Sequence, residues 1–370
     1  MKILILGDFS GFGMNLKIGF EKNGAEVTLV SNGDGWKKIS GSNLNLISYF
    51  KMNNKQVNKI ERTIIGLKNR NKIKKFVEEK KKQFDIIFLI NTGMIYTTFL
   101  DYFRVTFSVK DLKSMLKEKG KIYLSACGDD YFYLTKSKKI LKYFPYDSIS
   151  NKIINFFLKK EKKIHNHIEG VIPIAYDYAI GYKNSDYFRE KKVLKTIPLP
   201  IDITQIQYKE NKIKEKIIIF HGVSREEFKG TYYIREAMKR IEKKYGEKVE
   251  IIIKERLPLI EYQRVLEKAN IIIDQCKFYG YGMNAIYSMA MGKVVLSGNE
   301  SEIQEELKIK SIPVINIRPD IEDIEKKIEY LIENPDLVSK LGKESREFIE
   351  KIHEAEIIAK EYLEIFKKNE

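Results

Sequence analysis

The sequence predicts an α/β protein in which two doubly wound parallel sheets face each other across a cleft. A chain of 370 residues is too long to fold around one hydrophobic core of ordinary size, and its length fits two domains. Short β-rich runs, several of them unbroken and apolar, alternate with longer amphipathic stretches, which is typical of parallel strands covered by helices on both faces. Pro198 and Pro200 interrupt this alternation, and it restarts at Lys216. We therefore expect two Rossmann-like domains.

The predicted strands divide between these two domains. Those of the first domain are residues 2–6, 26–30, 85–90, 121–125, 170–174 and 193–197. Those of the second domain are residues 216–221, 249–253, 271–274, 293–297 and 312–315. The predicted domain bounds are 1–198 and 199–342, and residues 343–370 are expected to form a C-terminal helix that packs back on the first domain.

The positive charge of the chain lies in its first half. The net charge is +16, and residues 1–200 contribute 37 Lys and Arg against 19 Asp and Glu, which leaves 30 against 32 for residues 201–370. The excess is concentrated in residues 51–82 and 136–163. A one-sided basic domain suggests an anionic partner such as a membrane leaflet, a lipid phosphate or nucleic acid, although charge on solvated helices explains the same pattern.

One basic segment also carries apolar side chains. Residues 153–164 place Ile154, Phe156, Phe157 and Leu158 beside a lysine cluster. This pattern fits a helix that lies on an anionic leaflet, and it equally fits an ordinary surface helix with a core face. No run of 18 or more uncharged apolar residues occurs, and the chain opens directly on a strand, so the expected location is the cytoplasm.

No metal or redox site is predicted. Cys127 and Cys276 match no metal or redox spacing and are expected to be buried thiols. His165 and His167 have no acidic cluster beside them, which favours solvated histidines over metal ligands.

Two loops of the second domain have the composition of phosphate sites. In the segment from Phe278 to Gly298, glycines at 280 and 282 precede a helix, whose free N-terminal N–H groups and positive dipole end favour an anion. The strand at 216–221 is followed by Ser224, Arg225, Lys229 and Gly230, which supply cations and close backbone approach. Both loops follow predicted strands at their carboxyl ends, where ligands of open α/β sheets bind.

These residues occur in an order that resembles a known family. The order HxxSxxxxKGT, then ANIIIDQ, then YGYGMNAIYSMAMGKVVLSG, is similar to the second domain of the retaining glycosyltransferases of group 1, or family 4, which have the GT-B fold. IPLPID at 197–202 resembles their inter-domain hinge. Residues 7–31, with Gly7, Gly11 and Gly13, resemble their first glycine loop and helix.

The resemblance implies an activity and a set of contacts. Members of this family transfer a sugar from a nucleotide diphosphate sugar, with retention and without a required metal or other cofactor. The acceptor would be a saccharide or a lipid-linked saccharide in surface polysaccharide or glycolipid synthesis. On this likeness Lys229, Ser224, Arg225 and Gly230 would contact the donor diphosphate, and the amides of Gly282, Met283 and Asn284 would cradle it.

Two positions depart from the family pattern. The family places two glutamates, separated by seven residues, before the glycine loop and inside its helix, where they bind the donor sugar and ribose. This chain has Tyr279 and Tyr287 there. A phenol is not ionised near neutral pH, but it still forms hydrogen bonds to hydroxyl groups. The family's arginine position is occupied by Ser224, with Arg225 one place later.

The candidate catalytic residues follow predicted strands. Asp129 and Asp130 follow the strand at 121–125, and either can orient or deprotonate an acceptor hydroxyl. His221 ends a strand at the expected cleft. Asp8 lies after the first strand, where a helix-cap role is at least as consistent with the sequence.

Three function classes remain open from the sequence. A glycosyltransferase is the leading hypothesis, and a nucleotide-sugar epimerase of the same architecture is the second. The third is a non-catalytic nucleotide- or polyanion-binding protein, although no nucleic-acid partner is expected. A dinucleotide oxidoreductase is disfavoured because GxxxGxG at residues 7–13 is not the GxGxxG fingerprint.

Overall fold

A computed structural model describes residues 1–37, 39–48, 57–95, 106–186, 192–255, 257 and 259–368. Residues 51–56 of the first basic segment and the last two residues of the predicted C-terminal helix lie outside this range. The strands are β1 Lys2–Leu6, β2 Glu26–Ser31, β3 Leu44–Asn45, β4 Phe84–Leu89, β5 Leu116–Ala126, β6 Gly170–Pro173, β7 Ile217–Val223, β8 Val249–Glu255, β9 Ile271–Ile273, β10 Val294–Ser297 and β11 Val314–Asn316.

Helices separate most of these strands. They are α1 Phe12–Lys22, α2 Lys59–Glu79, α3 Val109–Met115, α4 Lys138–Ile140, α5 Asn151–Ile164, α6 Tyr176–Lys183, α7 Glu226–Lys229, α8 Thr231–Tyr245, α9 Leu259–Lys268, α10 Met283–Ala290, α11 Ser301–Leu307, α12 Ile321–Glu333, α13 Asp336–Ile352 and α14 Ala355–Lys368. None of the helices within the described ranges combines the length and apolarity that crossing a bilayer requires.

The strands form two parallel sheets, which confirms the predicted fold class. The first sheet has the order β3-β2-β1-β4-β5-β6, and the second has the order β11-β10-β9-β7-β8. Every residue of β9 and β10 is buried, as is most of β1, because helices cover both faces of the sheets. The strand order reverses between β1 and β4 in the first sheet and between β7 and β9 in the second.

One predicted strand is wrong. Residues 193–197 form a single bridge, between Val171 and Val193, rather than a strand. Leu194 N donates to Val171 O at 2.8 Å and Ile197 N donates to Pro173 O at 2.9 Å, so the segment follows β6 without a regular ladder. Pro198 and Pro200 come immediately afterwards, and proline cannot donate to a ladder.

The chain passes between the domains at two adjacent places. Ile201 N donates to His353 O at 2.8 Å, and Ala355 N donates to Ile201 O at 3.0 Å. The helix predicted from residue 343 is in fact the end of α13, followed by a break at His353 and Glu354 and then by α14.

Helix α14 packs on the first domain. The ring of Phe366 lies 4.7 Å from that of Tyr123 in β5, and Tyr362 meets Phe88 of β4 edge-on at 5.2 Å. Because α14 follows the second domain in sequence, this contact ties the two domains together.

Candidate active site

The carboxyl ends of both sheets open into one cavity of about 840 Å³. In the first sheet, Gly7 follows β1 and Asn91 follows β4. In the second sheet, Ser224 follows β7 and Asp274 follows β9. All four residues line the cavity. The cavity therefore joins the two points of reversed strand order, which are the usual ligand sites of such sheets.

A buried ion pair lies at the switch point of the second sheet. Lys229 Nζ is 2.9 Å from Asp274 Oδ1, and Asn284 Nδ2 donates to the same oxygen at 2.8 Å. Burial opposes ionisation of Asp274, but the charge of Lys229 and these hydrogen bonds hold the pKa of Asp274 below its usual value. Asp274 thus links Lys229, at the end of α7, to Asn284, at the start of α10. The Asn284 amide oxygen in turn accepts a hydrogen bond from the Tyr262 hydroxyl.

The glycine loop presents the start of α10 to the cavity. The N-cap residue of this helix is Gly282, which has no side chain to cap it, and Gly282, Met283 and Asn284 line the cavity. A Cβ added at Gly282 would have Gln275 Nε2, at 4.0 Å, as its nearest neighbour, so this position is open to a ligand. Uncapped N–H groups at a helix N-terminus bind anions.

Arg225 supplies a second cation on this wall. Its guanidinium carbon lies 3.7 Å from the centre of the Phe228 ring, and the planar group stacks on that ring. Burial works against its charge, but nearby Tyr146 and Asp129 favour the charged form and keep the pKa of Arg225 above its usual value.

The first domain contributes carboxylates to the opposite wall. Tyr146 donates its hydroxyl to Asp129 Oδ2 at 2.9 Å. Asp8 Oδ1 accepts a hydrogen bond from Gly13 N at 3.0 Å and so caps α1, while Asp8 also lines the cavity. Burial raises the pKa of Asp8 to about 7, against the opposing effect of this hydrogen bond.

The other glycines predicted at the site have two kinds of role. Gly7 and Gly11 adopt φ values of 99° and 88°, which favour glycine, and both line the cavity. Gly13 and Gly230 permit close packing, because an added Cβ would lie 2.5 Å from Gly7 O and 2.4 Å from Cys276 Sγ, respectively, and Gly230 also adopts a left-handed φ of 69°.

The structure places His221 and Asp130 beneath the cavity rather than on its surface. His221 Nδ1 donates to Ile273 O at 2.8 Å, and its Nε2 accepts from Thr231 Oγ1 at 3.0 Å. Burial, together with the charge of Lys229, lowers the pKa of His221 to about 3, so the ring is neutral. Its lone pair is occupied, and the predicted role in catalysis is therefore corrected to one in holding β7, β9 and α8 together.

Asp130 is engaged in the same way within the first domain. It accepts hydrogen bonds from Tyr133 N at 2.8 Å and from the Tyr182 hydroxyl at 3.0 Å. Burial raises its pKa to about 7. Of the two adjacent aspartates predicted as candidate bases, only Asp129 lines the cavity.

Tyr279 also departs from its predicted position. Its hydroxyl oxygen accepts a hydrogen bond from Lys142 N at 2.7 Å, and its ring lies 4.7 Å from that of Tyr143 and stacks on that of Tyr176. Its backbone N–H donates to Asp177 Oδ1 at 2.9 Å. The side chain therefore binds the first domain instead of facing a donor sugar. Tyr287, the second tyrosine, does line the cavity.

Two site residues were missed by the sequence predictions. Asp274 could have been predicted as a site residue, because it is a carboxylate at the end of the buried strand IIID. No local sequence pattern indicates His353. Its Nδ1 donates to Leu199 O at 2.7 Å and its Nε2 accepts from the Tyr281 hydroxyl at 3.0 Å, so its position depends on residues far away in sequence.

Comparison with known proteins supports this architecture. No protein-family model and no curated protein matches the chain. Sucrose-phosphate synthase from Thermosynechococcus elongatus superposes with a TM-score of 0.63 at 14% identity, over 100% of this chain and 99% of that one. HepE from Anabaena, solved with UDP-glucose, gives 0.60 at 9% identity over the whole of both chains. The chain has the GT-B fold.

The GT-B fold confirms the predicted class, including the return of the last helix to the first domain. A putative UDP-N-acetylglucosamine 2-epimerase from Listeria monocytogenes has a similar structure, with a TM-score of 0.53 at 12% identity over 98% of this chain and 94% of that one. Identities this low establish the fold alone. The function must therefore be argued from the cavity.

Proposed function

We propose that this GT-B protein is a glycosyltransferase of the retaining type. It transfers a sugar from a nucleotide diphosphate sugar to a saccharide or lipid-linked saccharide acceptor, in surface polysaccharide or glycolipid synthesis. The observation that carries the proposal is the convergence of Lys229, Arg225 and the uncapped start of α10 on one side of a cavity whose other side carries Asp129.

The second-domain wall suits a leaving diphosphate. Lys229 and Arg225 offer positive charge, and the N–H groups of Met283 and Asn284 offer fixed donors. Groups held in place before the reaction stabilise charge as it develops on the leaving oxygen, and this electrostatic effect is commonly the largest in enzymes. Asp274 contributes by holding Lys229 and Asn284 in position.

Asp129 is the proposed partner of the acceptor hydroxyl. It lies on the opposite wall, and Tyr146 fixes its carboxylate. A carboxylate in this position orients the hydroxyl and accepts its proton as the new glycosidic bond forms. His221 and Asp130 have no step in this scheme.

We further propose that the reaction needs no metal or other cofactor. The residues that the structure describes contain no group of three or more His, Cys, Asp or Glu side chains placed to hold a metal ion. Lys229, Arg225 and the α10 amides supply the positive charge that the diphosphate requires.

The proposal is tested by incubating the protein with UDP-, GDP- and ADP-sugars and a panel of saccharide acceptors in the presence of EDTA. We expect an acceptor-dependent glycoside with the anomeric configuration of the donor, read by NMR. The putative epimerase shares this fold, so an epimerised sugar formed without acceptor would favour that activity instead. Nucleotide binding without any turnover would favour a non-catalytic binding protein.

The two tyrosines should differ in their effects on the donor. Tyr287→Phe is expected to raise the KM for the nucleotide sugar about fivefold, because one hydrogen bond contributes about 1 kcal/mol. Tyr279→Phe is the matched control and should change KM by less than about twofold, since its hydroxyl binds Lys142 N. Steady-state kinetics measure the KM of both variants. A larger effect of Tyr279→Phe than of Tyr287→Phe would contradict the assignment of Tyr287 to the donor site.

We propose that the protein also makes peripheral contact with an anionic membrane, at the inner face of the cell membrane. Helix α5 is an ordinary domain helix, because Lys160, Glu161 and Ile164 are buried. Helix α2 is the better surface, since Ile60, Ile64 and Leu67 are 74%, 48% and 51% exposed at a helical spacing of four and three. Exposed Lys68, Lys72 and Lys75 follow on the same helix.

Vesicle sedimentation tests this surface. Replacing Ile60, Ile64 and Leu67 together by serine is expected to lower binding to phosphatidylglycerol vesicles by about tenfold or more, since each buried apolar side chain contributes on the order of 1 kcal/mol. The control is Tyr330→Ser, at an exposed position in the second domain. Equal binding by the triple variant and the wild type would exclude α2 as the contact.

A further inference from the structure

We infer that the acceptor group which enters the cleft is an uncharged, hydroxyl-rich sugar and not a phosphate or a uronate. The inference rests on the proposed function and names the substrate class of the same cavity. It comes from the distribution of charge on the two walls. The wall formed by the first domain carries Asp8, Asp34, Lys37 and Asp129. The wall formed by the second domain carries Arg225, Lys229, Lys254 and Asp274.

Lys37, a cation on the first wall, is paired with a carboxylate. Its Nζ lies 2.6 Å from Asp34 Oδ2 and also donates to Ser10 Oγ at 2.5 Å. Ser10 N donates to the same Asp34 oxygen at 2.8 Å. Ser10 and Asp34 both adopt a φ of 53°, a left-handed conformation that non-glycine residues rarely take. Lys37 is therefore held by a specific local structure and is not a mobile anion receptor.

Asp129 and Asp8 supply further carboxyl groups among the described residues of this wall, and burial raises the pKa of Asp8 to about 7, so Asp8 is an anion only in part at neutral pH. Carboxylate oxygens accept hydrogen bonds from sugar hydroxyls, whereas they repel a second anion. Phe9 and Phe157 also line the cavity, and apolar rings beside a few polar groups are typical of a sugar-sized site. The anion-binding groups Arg225 and Lys229 belong to the second domain, which the proposed donor occupies, and the charge of Arg225 faces that of Asp129 across the cavity.

The net charge of the whole first domain would instead predict an anionic acceptor. Residues 1–200 carry a net charge of +18 from 37 basic and 19 acidic residues, yet the charged residues that the structure describes on this half's share of the cavity wall are three aspartates and one lysine. Of the basic residues that the structure describes in this half, all but Lys37 therefore lie outside the lining of the cavity. An anionic lipid can meet the basic outer surface, while the sugar that accepts the bond is neutral.

The test compares matched neutral and anionic sugars on the protein loaded with whichever of UDP, GDP and ADP it binds. The probes are the methyl glycosides of glucose, galactose and mannose and the corresponding methyl uronosides, with dissociation constants taken from saturation-transfer NMR. We expect at least one neutral glycoside to bind about tenfold or more tightly than its uronate, because like charges in a cleft select against the anion. Equal or tighter binding of the uronates, or no binding of either class, would overturn the inference.

Two variants connect the selectivity to this wall. Asp34→Asn keeps a residue type that tolerates the left-handed backbone but removes the charge that balances Lys37, so we expect the preference for the neutral sugar to fall about tenfold. Asp85→Asn removes the same charge from an ion pair with Lys117 outside the cavity and should leave the preference unchanged. An unchanged preference in Asp34→Asn would also overturn the inference.

The first step of the same experiment keeps the two proposals separate. If none of UDP, GDP and ADP binds, the proposed function fails. If one of them binds and the uronates bind as well as the neutral sugars, only the acceptor class is wrong.

Discussion

Replacing Lys229 by methionine is expected to weaken UDP binding by about 100-fold or more, which corresponds to roughly 2.7 kcal/mol. Lys229 is the buried ammonium at the switch point of the second sheet, and charge-assisted hydrogen bonds to phosphate are about twice as strong as neutral ones. Methionine keeps most of the side-chain volume. Calorimetric titration with UDP measures the loss.

This single substitution also removes the partner of Asp274. A buried carboxylate left without its cation costs about 3–5 kcal/mol, so part of the loss in the single variant would come from instability. The double variant Lys229→Met/Asp274→Asn removes both charges and is expected to recover most of the free energy of unfolding, measured in urea. Its UDP binding should remain lost.

The matched control is Lys239→Met. Lys239 lies on α8, is exposed and pairs with Glu236 at 2.6 Å, so it tests the loss of one lysine from the same domain. Its UDP dissociation constant should equal that of the wild type. A double variant at Lys229 and Asp274 that folds and still binds UDP within about threefold of the wild type would remove Lys229 from the donor site.

Phe366→Ala is expected to lower the free energy of unfolding by about 3–5 kcal/mol, the usual cost of truncating a buried phenylalanine. Phe366 is fully buried, and its ring packs near Tyr123, Phe20 and Phe88 of the first domain. The substitution therefore leaves a cavity at the place where α14 holds the first domain to the second. Urea unfolding followed by tryptophan fluorescence and circular dichroism measures the change.

A residue of the same helix serves as the control. Ile357 is 41% exposed, and its replacement by alanine should change the free energy of unfolding by less than about 1 kcal/mol. Similar losses in the two variants would mean that α14 does not depend on its buried face.

Most of the fold was predictable because its strands carry a local signal. Ile271–Ile273 is an unbroken apolar run, Val294–Ser297 is apolar up to its last residue, and the structure buries every residue of each. Residues 193–197 are interrupted by Lys195 and Thr196, and they form only one bridge along β6. Whether an edge segment completes a ladder depends on the path imposed by the following prolines, and composition does not encode that path.

The residues that line the cavity were predictable where a single loop supplies them. Lys229 and Gly282 both line the cavity, as the two loops indicated. Tyr279 was assigned to the same site because it stands where the resembled family has a glutamate that binds the donor. The direction of its side chain is decided instead by Lys142 and Tyr143, which come from the other domain. A long-range contact of this kind leaves no trace in the local pattern.

Counting charged residues along the sequence could not show where in the structure they lie. The excess of basic residues in the first half is real, but a count does not separate the outer surface from the cleft. Asp8, Asp34 and Asp129 follow β1, β2 and β5. They lie on one wall because the carboxyl ends of these parallel strands are at the same edge of the sheet.

The central claim is that the cavity binds a nucleoside diphosphate on the wall of the second domain. Calorimetric titration of the folded protein with UDP, GDP and ADP tests this most directly, because it requires neither the acceptor nor the sugar. We predict saturable binding of at least one of the three with one site per chain, abolished in Lys229→Met/Asp274→Asn. Absence of binding by all three to a sample shown to be folded would contradict the claim.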